Sequence, residues 1–165
     1  MRVSPLFLLL VLIALGSCKS ERFTSKDAGF SIDFPGIPQE MVQEVENDFG
    51  KCKLTMFEYS AGGGDINYTV SVSDPVNSVF SNPDEILMDV AHALETKAGI
   101  TTSPAVLGER NGNKTLRIAL EHKKTHADYL LVLKGKKLYQ IGFLSPDNLG
   151  KKGEINRFFD SFQLL

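Results

Sequence analysis

The stretch LGERNGNKTLRIALEHKKTHADYLLVLKGKKLYQIGF, Leu107–Phe143, decides the fold. Asn111-Gly112 is a strong two-residue hairpin signal, because both central positions of the favoured turn need positive φ. It pairs Arg110 with Asn113 and Glu109 with Lys114. Gly135-Lys136 suits a second tight turn, pairing Lys134 with Lys137 and Val132 with Tyr139. Between them, Lys123-Lys124-Thr125 reads as a three-residue loop. Followed outward, these registers place Leu107, Leu116, Ile118, Leu120, Leu130, Val132, Tyr139, Ile141 and Phe143 on one face. The other face carries Tyr129, Leu131, Leu133, Leu138 and Leu144. A sheet that is apolar on both faces needs cover on both.

Upstream, FSIDF alternates with Phe30, Ile32 and Phe34 on one side, and Pro35-Gly36 and Pro38 end it. KCKLTMFEY is the next strand, in which Cys52, Leu54 and Met56 are expected to point into a core. Ala61 to Asp65 is a glycine-rich connection to YTVSV. No Gly-Lys-Ser/Thr follows those glycines, so they read as a hairpin loop and not a phosphate cradle. Asn82 caps a helix that starts at Pro83 and buries Ile86, Val90, Ala93 and Leu94, with Leu87 and Ala91 widening the stripe. His92 falls off that stripe, on the solvent side. A C-terminal helix carries Ile155, Phe158, Phe159 and Phe162 at i, i+3, i+4 and i+7. The expected fold class is α+β, an antiparallel sheet flanked by a helix on each face.

FTSKDAGFSIDFPGIPQE, YTVSVSD, GNKTLRIAL, LVLKGKKLYQIGFLSP and FFDSFQL together resemble PsbP-like domains of secreted bacterial proteins. The resemblance spans residues 22–165. It implies an α/β/α sandwich and work as an accessory or binding module. It carries over no catalytic residue, because the matching positions are apolar, glycine or proline.

The first twenty residues carry a different message. Arg2 is the only charge before Leu6 to Leu15, an apolar run that would make a helix about 15 Å long, half a hydrocarbon core. A positive start, a short apolar block and small residues at its end describe an export signal. Leu15-Gly16-Ser17-Cys18 resembles the lipobox of bacterial lipoproteins. The resemblance implies removal of residues 1–17 by cleavage between Ser17 and Cys18, and acylation of the Cys18 thiol. Two or three acyl chains hold a protein on a bilayer much more firmly than one does. Residues 18–21 form a tether of at most about 14 Å, so the domain at 22–165 is held close to the lipid. The expected location is the cell membrane or outer membrane, on the exported side of the inner membrane. Lys19, in place of an acidic residue, points to the outer membrane where a cell has two.

The chain has 165 residues, 18 basic against 20 acidic, a formal charge of −2 that loss of Arg2 makes one unit more negative. That balance excludes a nucleic-acid-binding charge. With Cys18 acylated, Cys52 has no partner for a disulfide. In the hairpin EHKKTHAD, the three-residue loop would set His122 and His126 opposite each other, with Asp128 two residues along. Cross-strand Cβ atoms lie roughly 5 Å apart, close enough for two imidazoles to share a metal, so these three are the weak metal candidates. Two intervening lysines and the lack of an assured third ligand favour a polar hairpin end, and no metal or other cofactor is expected. No Gly-x-Ser-x-Gly is present to support a Ser-His-Asp hydrolase. The functional expectation is a lipid-anchored, non-enzymatic envelope module that binds or supports another envelope protein. The alternative is a carrier of a small apolar or lipid ligand in a cavity between sheet and helix.

Overall fold

The computed structural model describes residues 21–47, 50–75, 82–98, 101–102, 104–122, 124–146 and 152–165. Ser17, Cys18 and the tether through Ser20 lie outside them. Among the described residues, no helix is long and apolar enough to cross a membrane.

Two long hairpins set the frame. Strands β7 (Val106–Arg110) and β8 (Asn113–His122) meet at Asn111-Gly112, pairing Glu109 with Lys114 as the turn chemistry requires. Asn111 and Gly112 both hold positive φ, 51° and 74°, which an Asn-Gly pair tolerates. Strands β9 (Thr125–Lys134) and β10 (Lys137–Pro146) turn at Gly135-Lys136, with Val132 opposite Tyr139. Three further strands, β3 (Gln39–Asn47), β4 (Gly50–Ala61) and β5 (Ile66–Asp74), extend the sheet through β5 on β10, and the short β6 (Thr101–Thr102) pairs with β8. The eight-stranded order is β3-β4-β5-β10-β9-β8-β6, with β7 also on β8, and all pairs are antiparallel.

The expected register fails at one place. The loop between β8 and β9 has two residues, not three, so Glu121 stands opposite His126 and His122 opposite Thr125. A one-residue slip moves every side chain of a strand to the other face. Leu116, Ile118 and Leu120 accordingly join Leu131, Leu133 and Leu138, not Leu130 and Val132.

Two apolar clusters result. One joins Phe57, Val70, Ile141 and Leu130, which stand in a single row across β4, β5, β10 and β9, with Tyr68, Val72, Val132, Tyr139 and Phe143. Against them pack Ile155, Phe158 and Phe159 of α2 (Lys152–Ser161). A small second sheet, absent from the sequence reading, adds to that packing. In it, β1 (Glu21–Ser25), β2 (Phe30–Phe34) and β11 (Gln163–Leu164) bring Phe30, Ile32 and Phe34 into the same cluster. The other cluster joins the leucines of β8 to β10 with Leu87 and Ala91 of α1 (Pro83–Ala98). Asn82 caps α1 as expected, its side-chain oxygen accepting from the Asp84 amide at 3.0 Å.

Three expectations need correction. Helix α2 ends at Ser161, so Phe162 is buried from the link to β11, not from a fourth helical contact. Ala93 is exposed, which centres the buried stripe of α1 on Leu87 and Ala91. On β4 the core positions are Thr55 and Phe57, whereas Cys52, Leu54 and Met56 occupy the alternate face and are only half-buried.

Candidate functional site

The polar hairpin end between β8 and β9 carries the residues the sequence offers as metal candidates. With Glu121 opposite His126, the expected cross-strand histidine pair does not form. His126 Nε2 instead lies 2.7 Å from Asp128 Oδ2, and its Nδ1 lies 3.7 Å from Glu121 Oε1. Both ring nitrogens face carboxylates. Asp128 is buried and also meets Arg117, at 3.7 Å. Arg117 ends the core row beside Leu130, donates to Asn156 of α2 at 3.0 Å, and lies over the Phe159 ring at 5.0 Å. The network thus carries charge from β8 and β9 onto α2. Ser145 is buried opposite His126, so a Ser-His-Asp set is adjacent in register, but Nε2 is bonded to Asp128 and Nδ1 faces the exposed Glu121 carboxylate. Among the described residues, no group of three or more His, Cys, Asp or Glu is arranged to hold a metal.

The second feature is a cleft of about 490 Å³ beside α2. Tyr68, Phe158 and Pro35 form its apolar part. Asp33 comes from β2, and Glu154, Arg157, Asp160 and Ser161 come from α2. Spacing of three and four along the helix lines these polar residues up on its outer side, opposite Ile155 and Phe159. The sequence reading follows only the apolar stripe of α2. Its complement, Glu154-x-x-Arg157-x-x-Asp160-Ser161, is the signal available for the cleft.

Each carboxylate of the cleft has a partner within the chain. Tyr68 donates its hydroxyl proton to Glu154, Arg22 Nη1 reaches Asp33 at 3.1 Å, and Arg110 Nη2 reaches Asp160 at 3.2 Å. The two arginines also satisfy the open end of α2, where the last carbonyls lack helical partners. Arg110 donates to the Phe159 carbonyl at 2.8 Å, and Arg22 to that of Ser161 at 2.6 Å. A cation at a helix C-terminus is favourably placed against the dipole as well. Arg22 lies on β1 and Arg110 on β7, so the helix end is held from both sheets.

Shifted titrations lie away from the cleft. Burial raises Tyr129 and Tyr139 above the ordinary tyrosine value, and a hydrogen bond to Asp74 raises Lys137. The lysine–aspartate contact is 3.0 Å, and Tyr139 donates to the Ala28 carbonyl at 3.0 Å. Lys137 thereby ties β10 to β5, and Tyr139 ties β10 to the turn before β2.

No family model and no curated protein matches the sequence. Among solved structures, the solution structure of cyanobacterial PsbP (CyanoP) from Synechocystis sp. PCC 6803 aligns over 92% of this chain and 96% of its own, with a TM-score of 0.59 at 11% identity. The fold is PsbP-like. A protein from Bacteroides thetaiotaomicron aligns over 89% of this chain and 49% of its own, at 13% identity and a TM-score of 0.41. That similarity is too low to add to the assignment. The likeness to CyanoP shows the fold alone. It does not specify the cleft's ligand, because one fold serves unrelated functions.

Proposed function

We propose that this chain is a lipid-anchored, non-enzymatic accessory module of the bacterial cell envelope, acylated at Cys18. Its α1 and α2 form the outer layers of a three-layer sandwich, and it binds another envelope protein through the cleft beside α2. The observation that carries this reading is the pairing of its ionisable groups. His126 is engaged by two carboxylates, and Asp33, Glu154 and Asp160 each by a group of the same chain. Such a surface presents fixed, oriented charge to a partner and holds these groups out of acid–base chemistry. A carrier of an apolar ligand would need an apolar cavity, and the charged lining of this cleft favours a protein partner.

The test is a photo-cross-linking amino acid at Arg157, an exposed residue of the cleft, in cells that make the full-length chain. The reading predicts an adduct with one membrane-fraction protein that is lost in Cys18→Ser. The same protein, purified, should bind the chain and bind Arg157→Glu more weakly. Absence of any adduct, or an adduct that survives loss of the anchor and charge reversal, would contradict it.

A further inference from the structure

We infer that the turn Pro35–Pro38 is the part of the domain that touches the bilayer, with Ile37 as the inserted side chain. This rests on the anchoring proposed above. Glu21, the first described residue, pairs with Phe34, the last residue of β2. The chain therefore leaves the small sheet beside the start of the turn Pro35-Gly36-Ile37-Pro38. Cys18 lies three residues before Glu21, at most about 11 Å of chain. The short tether holds the end of the domain that carries Phe34 against the lipid.

Ile37 is 82% exposed, the most exposed large apolar residue among those described. An isolated exposed apolar side chain is common and needs no special cause. Here its mounting and position supply one. A Cβ added at Gly36 would collide with Cε2 of Tyr59, so the turn's backbone rests directly on that ring. Pro35 and Pro38 fix their own φ, and Pro38 also keeps Ile37 out of the helical region. The turn is thus restrained on both sides of Ile37, whose side chain projects away from the core.

Lys134, Lys136 and Lys137 cluster at the β9–β10 turn and would be the rival contact, with anionic lipid headgroups, but they sit elsewhere. Lys134 Nζ donates to the Leu165 carbonyl at 2.8 Å, and the Leu165 amide donates to Gly29. Gly29 precedes β2, so this tip is at the opposite end of that strand from Phe34, about 13 Å along it.

The natural chain has no tryptophan, so Ile37→Trp and Lys136→Trp are single-fluorophore probes of the two ends. Each full-length protein is purified from membranes, reconstituted into phosphatidylethanolamine/phosphatidylglycerol vesicles, and weighed intact by mass spectrometry. The expected result is an acylated Cys18 in both. The indole of Ile37→Trp should emit further to the blue and be quenched by brominated acyl chains, while that of Lys136→Trp emits as it does in solution. Acylation with a water-like, unquenched indole in Ile37→Trp would overturn this inference and leave the anchor standing; Ile37 would then be free for a protein partner. An unacylated Cys18 would overturn the anchor and this inference together.

Discussion

Truncating Phe158 tests whether α2 helps hold the core together. The ring is buried and meets Phe34 and Tyr68 edge-on, with centroids 5.5 and 5.1 Å away. Loss of a core phenylalanine to alanine costs about 3–5 kcal/mol, including about 0.5–1.5 kcal/mol for each well-oriented aromatic pair. Phe158 also lines the cleft, so water can enter the space it leaves, which sets Phe158→Ala near the lower limit, about 3 kcal/mol. Phe162 lies between Phe30 and Tyr139, at 5.8 and 5.6 Å, away from the cleft. Phe162→Ala should cost more, about 4 kcal/mol. Lys152 is exposed at the start of α2, and Lys152→Ala should stay within about 0.5 kcal/mol. Urea unfolding followed by circular dichroism measures all three. A domain stable by about 5–15 kcal/mol shows the first two as large falls in midpoint with an unchanged slope. If Phe158→Ala unfolded with the parent, α2 would not cover the core and Phe158 would belong to a contact surface; if Phe162→Ala did, the link from α2 to β11 would not pack against the core.

Two further outcomes follow from the polar groups. Asp128→Asn should destabilise by about 1–3 kcal/mol, because it leaves His126 and Arg117 without their buried partner. Glu121→Gln, at a carboxylate that is mostly exposed, should cost less than about 1 kcal/mol, and double-mutant cycles with His126 separate the two. Stability should also fall as pH rises past 10. Tyr129 and Tyr139 are raised above 10.0, and Lys137 above 10.5, so in that range the folded state binds more protons than the unfolded one. Their contribution is fully present below those ordinary values and is lost as pH climbs through the folded ones. Urea midpoints between about pH 9 and 11 record the slope. Tyr129→Phe with Tyr139→Phe should flatten it.

Legibility in the sequence follows the strength of the local signals. Asn111-Gly112 and Gly135-Lys136 have turn chemistry that permits few alternatives, and both registers agree with the structure. Lys123-Lys124 carries no glycine, asparagine or proline to fix a loop length, so the strand before it reads one residue out of register. That slip alone creates the histidine pair. Strand β3 escapes a sequence reading because QEMVQEVEN has no clean alternation; as an edge strand with little burial it has little need of one. Phe162 matches the helical period by coincidence, since the turn after Ser161 delivers it to the same cluster. The cleft depends on Asp33 and Glu154 lining one space although more than a hundred residues separate them, and no local pattern encodes that.

The central claim is the anchor at Cys18, and the intact mass of the natural protein extracted from membranes tests it most directly. The account predicts a chain that begins at Cys18 and carries a diacylglyceryl group, and a Cys18→Ser chain that stays uncleaved. A mature chain with a free Cys18 thiol, or a Cys18→Ser chain processed normally and released into solution, would contradict it.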